Sequence, residues 1–252
     1  MVESTQNIKN YIRDAYRRLY SNGTSRDLPI VQGKDLACAL GYDPCLTRLV
    51  PEALWARFFP CGNPVPWIAF EGQRAPKILN LGSGVGLDAF FVVLGMAMRD
   101  GTVVNVDIAH EALTCGKSLM EAALAAHGPR AHIFWVQADA DAIPFSDAVF
   151  DLVLMNGVFN LFECKDLLLK EVFRVLKNRG TLLLADLVRT GPLPQEWGSA
   201  MEGWLWCVNG SMEEQELFDI LHTTGFAGAE ILRKDCEVDP LWRAIVRARK
   251  IS

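Results

Sequence analysis

The chain is 252 residues long, half of them apolar and 22% charged, with a formal net charge of −5. A chain of this size buries about three quarters of the surface it exposes when unfolded, so one enlarged domain holds without disulfide or metal staples. The composition excludes a largely disordered chain, and the acidic balance argues against a nucleic-acid partner, which would select a basic stripe. No apolar run reaches the ~18–20 residues of a membrane span; the longest candidate, Ala89 to Met98, stops at Arg99-Asp100. The opening MVESTQNIKN has neither a basic start nor an apolar h-region. Seven cysteines, an odd number without CxxC spacing, predict free thiols in a reducing, cytoplasmic setting.

In chain order, Ile8, Tyr11, Ile12, Ala15 and Leu19 share one face of a predicted amphipathic helix over 7–20, stopped by Ser21-Asn22-Gly23. Residues 24–74 read as irregular, with one helical piece over 51–59 opened by Pro51. From Ala75 strands and helices alternate: a strand over 77–81, a helix over 86–99, a strand over 102–108 and a helix ending near His127. Strands over 132–138 and 151–156, a helix over 163–176 and a strand over 181–188 continue the pattern. Residues 191–210 have no clean period. Ser211 and Glu214 have capping-box spacing and predict a helix to about Thr224, before strands over 228–234 and 241–247. Such alternation predicts βαβ units and a parallel sheet covered on both faces.

The most informative stretch is Gly82-Ser83-Gly84-Val85-Gly86, directly after a predicted strand and directly before a helix. Glycines there allow a sharp turn and close approach of a ligand to the peptide groups, although a simple tight βα turn has the same signature. Asp107 ends the next strand, where a carboxylate can accept both hydroxyls of a ribose. The spacing is GxGxG rather than GxGxxG and no P-loop lysine follows, so an adenosyl group without phosphates fits better than NAD or ATP.

LGSGVGLD, NVDIAHE, QADADAIPF, FDLVLMNGVFNL and EVFRVLKNRGTLLLADLV, in that order over about 75–188, resemble the successive motifs of class I S-adenosylmethionine-dependent methyltransferases. The resemblance implies an α/β, doubly wound, mostly parallel seven-stranded sheet (a Rossmann-like methyltransferase fold) with S-adenosyl-L-methionine as cofactor. It divides the chain into an N-terminal helical cap and substrate-site region (1–74), a cofactor-binding core (75–190) and a C-terminal extension that completes the sheet and acceptor site (191–252). It implies that Gly82, Ser83, Gly84 and Gly86 line the methionine and ribose portion, with Asp88 in the same set. It places Asp107 on the ribose, Ile108 against the adenine, Asp139 and Ala140 at the adenine amino edge, and Asn156 beside the sulfonium. Asp151 is expected to be structural. Asn80 stands where the family often has Asp, and Asn178-Arg179 replaces the usual Pro-Gly.

Within that class, LGSGVGLDAF, NGVFNL, Phe59-Pro-Cys61-Gly-Asn63-Pro64 and the segment beginning Cys207-Val-Asn-Gly resemble arsenite methyltransferases. That family holds trivalent arsenic on thiolates, soft sulfur on a soft centre, with a lone pair aimed at the sulfonium. The resemblance implies Cys207 as one thiol and Cys38, or failing it Cys45, as another. Cys61 matches a recurrent cysteine not known as a ligand. Gly157 stands where the family has Cys, which removes one thiolate. Cys207, Cys38 and Asn156 are therefore the candidate catalytic residues, and no resident metal is implied.

A small organic acceptor is the competing expectation, with Phe159, Phe162, Trp204 and Trp206 as pocket walls or as core. A catalytically silent relative that only binds the cofactor is another. A hydroxyl or amine acceptor would need a general base, and none stands out, which favours a soft acceptor. The expected partners are a small-molecule or metalloid substrate, with neither nucleic acid nor membrane. The chain would be a monomer, or a homodimer built on the first helix, which alternatively covers the cofactor.

Overall fold

The computed structural model describes residues 2–22, 33–70, 75–96, 98, 100–127, 131–198 and 201–251. The elements are α1 (Val2–Asn22), α2 (Gly33–Ala39), α3 (Pro44–Thr47), α4 (Glu52–Trp55), β1 (Lys77–Leu81), α5 (Leu87–Gly95), β2 (Thr102–Asp107), α6 (His110–His127) and β3 (His132–Gln137). There follow β4 (Phe150–Asn156), α7 (Lys165–Val175), β5 (Leu176–Arg189), α8 (Gln195–Gly198), α9 (Glu202–Leu205), β6 (Met212–Glu213), α10 (Glu214–Thr224), β7 (Phe226–Val238) and β8 (Leu241–Lys250). Short apolar runs such as Ile78-Leu-Asn-Leu81 become β1 because both faces of a parallel strand are covered; Ile78, Leu79 and Leu81 are fully buried.

The sheet runs β3-β2-β1-β4-β5-β8-β7, with the two-residue β6 paired to the end of β5. The first five strands of that path are parallel, and β8 and β7 close it antiparallel. The fold is therefore α/β with a mostly parallel sheet, and against the seven strands expected the sheet has eight, seven along the main path and the short β6 beside β5. Strand order reverses between β1 and β4, so a crevice opens beyond their carboxyl ends.

One apolar cluster joins α5, α6 and the α2–α4 cap to one face of the sheet. A second joins α7 and α10 to the other. Phe91 of α5 ties the cap to the core: its ring centroid lies 4.7 Å from that of Tyr42 and 6.4 Å from those of Trp55 and Phe58.

Several sequence expectations are corrected. The region 33–70 is less irregular than expected, with α2, α3, a short α4 and a 3₁₀ turn over Val65–Trp67. Asp43 caps α3 by accepting the Cys45 N–H at 2.7 Å, and Pro44 occupies its first turn. Helix α5 ends at Gly95 rather than 99. Residues 23–32, 71–74 and Arg99, which other expectations covered, lie outside the described residues. The capping box shifts by two residues, to Glu213 and Glu216. Met212 and Glu213 pair with Val188 and Arg189, which keeps them extended and delays the helix.

Asn178-Arg179 also has a local consequence: Arg179, within β5, adopts φ +64°. A side chain with a Cβ costs about 1 kcal/mol or more in this left-handed region. Arg179→Gly should therefore stabilise the protein by roughly 0.5–1 kcal/mol in urea unfolding, net of the added unfolded-state entropy; a loss of stability would contradict the strain.

Candidate active site

A cleft opens at the strand switch, floored by the β1–α5 loop. Gly82, Ser83, Gly84, Asp88, Asp107, Ile108, Asp139, Ala140 and Asn156 all line it. Gly82 has φ +67°, and a Cβ there would fall 2.3 Å from a Val158 methyl, so only glycine fits. Gly86 departs from expectation: Trp135 and Met120 pack directly against it, which lets α5 and α6 approach the sheet, and it does not line the cleft.

Asp107 sits at the tip of β2 and accepts the Gly84 and Ala109 N–H groups, each at 2.8 Å. Burial pushes its carboxyl up, and the N–H groups of Ala109, Gly84 and Ile108 hold the charge against that push. Asp151 is structural, accepting from the Lys77 N–H and pairing with Lys177, each at 2.8 Å.

Helix α1 lies across the cleft. Tyr20 places its hydroxyl over Gly84, and the Tyr16 hydroxyl donates to the Leu205 carbonyl at 2.8 Å. The Lys9 ammonium pairs with Asp139 and, at 2.8 Å, with Asp141. Burial opposes the Lys9 charge, but the two carboxylates outweigh it and hold its pKa above the ordinary lysine range. Asp139, expected at an adenine edge, is thus engaged by a residue that sequence reading did not connect to it.

Asn156, at the end of β4, is held on both sides of its amide. Its Oδ1 accepts the Cys61 and Gly62 N–H groups at 2.9 and 3.2 Å. Its Nδ2 lies 3.0 Å from the Gly62 carbonyl and 3.1 Å from both Asp88 Oδ2 and the Tyr42 hydroxyl. The Tyr42 hydroxyl donates between Asp88 Oδ1 at 2.6 Å and the Gly62 carbonyl at 2.9 Å. Asn156 lines the cleft, but its polar atoms cross-link β4 to the cap.

The thiols are arranged differently from the sequence expectation. Cys38 and Cys45 are exposed, on α2 and α3, and neither joins Cys207. The partner of Cys207 is Cys61: both are buried, and their sulfurs and a carboxylate oxygen of Asp186 all lie within 4.8 Å of one another. The hydrogen bond with Cys61, then burial, then the Asp186 charge push the Cys207 thiol well up, so it is protonated in the resting protein. Asp186 accepts the Asn160 N–H at 3.1 Å, the Asn160 amide at 3.0 Å and the Leu187 N–H at 2.8 Å. Lys165 is buried over the Phe159 ring, donates to the Phe162 carbonyl at 2.8 Å, and burial lowers its pKa to about 8.

This cluster lies immediately behind Gly157, which lines the cleft with φ +68°. A Cβ at Gly157 would sit 3.4 Å from Cys61 Sγ and 3.0 Å from the Phe59 carbonyl. Cys61, Asp186, Lys165 and Tyr42 were not assembled from the sequence; only the recurrence of Cys61 in the resembled family pointed to one of them. Phe162 lines the cleft, whereas Phe159 is core beneath Lys165 and Trp206 meets Phe59 at a tilt of 58° with centroids 6.4 Å apart.

A family model described as a methyltransferase domain matches residues 73–225, and the chain belongs to that family. The matched segment is a methyltransferase domain with the Rossmann-like fold of that class. Arsenite methyltransferases are among the similar proteins: that of Halobacterium salinarum is 27% identical over 175 residues, 69% of this chain and 43% of that protein. The mouse arsenite methyltransferase is 27% identical over 190 residues, 74% of this chain and 49% of its own length. A ubiquinone/menaquinone biosynthesis C-methyltransferase from Xylella fastidiosa is 32% identical over 144 residues, 57% of this chain and 51% of that one. The chain thus spans about half the length of these relatives. A crystal structure of an arsenic(III) S-adenosylmethionine methyltransferase from Chlamydomonas reinhardtii superposes with a TM-score of 0.64 at 23% identity, covering 83% of this chain and 74% of that chain. Among the described residues no helix is long and apolar enough to cross a membrane.

The cleft fits the cofactor's chemistry: an apolar groove carrying the carboxylates Asp88, Asp107 and Asp139 suits a positively charged sulfonium bearing a ribose and a purine. Asp88 makes the site sensitive to pH. Burial pushes its carboxyl up to about 6, against the hydrogen bonds from Tyr42 and Asn156 that favour ionisation. A carboxyl with a raised folded pKa binds its proton more tightly in the folded chain. Its contribution to stability is therefore complete below the unfolded value near 4 and is lost as pH rises through 6. About two pKa units correspond to about 3 kcal/mol. Urea unfolding should show wild type losing that much relative to Asp88→Asn between pH 4 and pH 7; parallel pH profiles would contradict the buried, proton-holding carboxyl.

Proposed function

We propose that the protein methylates a monosubstituted trivalent arsenical held by Cys61 and Cys207. The observation that carries this is the buried thiol pair directly behind Gly157, the glycine in the wall of the cofactor cleft. Its support is chemical. An arsenical of the form R–As(OH)₂ condenses with two thiols, R–As(OH)₂ + 2 RSH → R–As(SR)₂ + 2 H₂O. Its own hydroxyls carry off the thiol protons, so protonated Cys207 needs no separate base. Arsenic keeps its lone pair, and soft sulfur holds the soft centre.

With glycine at 157 the cluster offers two thiols, so arsenic's third substituent is a carbon group rather than a protein sulfur. That favours an organoarsenical over inorganic arsenite. The cofactor supplies an electrophilic methyl on a sulfonium. On the protein side, Asp107 would hold the ribose hydroxyls, with Ile108 and Ala140 against the purine. Asn156 and Asp88 would fix the carboxyl end of β4 against the segment bearing Cys61, so that acceptor and donor meet in line. Helix α1 would exclude water.

A second reading is favoured by the apolar wall formed by Ile12, Phe59, Leu161 and Phe162. It takes an apolar organic acceptor, as the name of the C-methyltransferase relative suggests for that protein.

Two outcomes test these roles. Asp107→Ala should weaken S-adenosylmethionine binding by about 1.5–3 kcal/mol in calorimetry; unchanged affinity would remove Asp107 from the ribose. Cys61→Ser and Cys207→Ser should each abolish methyl transfer to methylarsonous acid while cofactor affinity stays at the wild-type value. Turnover retained in either variant, measured with labelled cofactor and mass spectrometry, would remove the thiol pair from the acceptor site, and a wild type that leaves methylarsonous acid unmethylated would favour the organic acceptor.

A further inference from the structure

We propose that Cys61, Asp186 and Cys207 form a binding site for a thiophilic divalent cation of the zinc or cadmium type. The three donors come from separate parts of the chain: Cys61 from the segment after α4, Asp186 from within β5, and Cys207 from just beyond α9. All three are buried, and their sulfur and oxygen atoms lie within 4.8 Å of one another. A tetrahedral ion with bonds of about 2.0–2.3 Å holds its donors roughly 3.3–3.8 Å apart, so the cluster closes on such an ion with small side-chain shifts.

Asp186 is already aimed. Donors from Asn160 and Leu187 engage both of its carboxylate oxygens while the Cys207 thiol lies in hydrogen-bond reach, so the carboxylate cannot swing away without breaking them. Two sulfurs and one oxygen select a thiophilic ion over magnesium or calcium. Three protein donors leave the fourth position for water.

The charges balance. Binding releases the thiol protons of Cys61 and Cys207 to solvent. Two thiolates and one carboxylate then carry −3 against the ion's +2. The Lys165 ammonium, in the field of Asp186 and Cys207, offsets the remaining charge, and the Arg243 guanidinium, neutralised by its pairing with Glu237, lies in the field of both thiols. Arg243 is anchored beside the cluster by donating to the Pro60 carbonyl at 3.1 Å and by its pairing with Glu237. The cation uses one residue more than an arsenical, which needs only the two thiols. That it would also block the methyl acceptor rests on the proposed acceptor site; that it binds does not.

Cadmium titration of the 252-residue chain is the test. The wild type should take up one tight equivalent, with an ultraviolet sulfur-to-cadmium charge-transfer band sized for two thiolates. Cys61→Ser and Cys207→Ser should each lose tight binding. Asp186→Asn should weaken cadmium about tenfold or more, while phenylarsine oxide, a dithiol probe, binds it as it binds wild type. Cadmium affinity unchanged in either serine variant, or in an Asp186→Asn protein that still binds S-adenosylmethionine, overturns the proposal. If Asp186→Asn does not fold, the cadmium-113 resonance of the wild type decides: a shift between the all-sulfur and all-oxygen ranges supports the mixed site, and either extreme overturns it. Phenylarsine oxide failing to bind a wild type that binds cadmium would count against the arsenical reading alone.

Discussion

The carboxamide of Asn156 is the point on which the site depends. A parallel sheet of this order creates a crevice but does nothing to place the chain that precedes its first strand. That chain carries Cys61, and it is fixed because Asn156 takes the Cys61 and Gly62 N–H groups on one side and faces the Gly62 carbonyl, Asp88 and Tyr42 on the other. A buried carboxylate, a phenol and an amide in one network satisfy each other in a low dielectric, where any one of them left alone would be costly. The stacking of Tyr42, Trp55 and Phe58 around Phe91 then adds apolar burial to the same junction.

Most of the sheet could be read from the chain because each strand is a short apolar run bounded by turn residues, and tertiary context did not override that pattern. β1 has the expected limits, and β2, β3 and β4 end within a residue of expectation. The departures have local causes. β5 begins early because Leu176 pairs with Phe150 ahead of an irregularity in the ladder. The start of α10 moved because two overlapping Glu spacings were available, and strand pairing by Met212 and Glu213 chose between them. The cap helices are four to seven residues long, too short to set a readable period.

The site was legible in proportion to its contiguity. Gly82, Ser83, Gly84 and Asp88 lie in one run, and Asp107 is one βα unit away, so spacing alone could group them. The thiol cluster draws on positions 61, 165, 186 and 207, and no local pattern connects residues so far apart. The same limit explains why Cys38 was a poor choice: its distance in sequence from the first strand is compatible with many cap arrangements, and the one adopted leaves it in solvent.

Gly157 carries an evolutionary implication. Its positive φ and the Phe59 carbonyl at 3.0 Å from any added Cβ make even alanine an intruder there. A change from this thiol arrangement to one with a third cysteine at that position therefore carries a conformational cost. A side chain there asks the Phe59 peptide to give by a few tenths of an ångström and the backbone at 157 to hold a strained left-handed conformation, so the crevice wall itself resists the third sulfur.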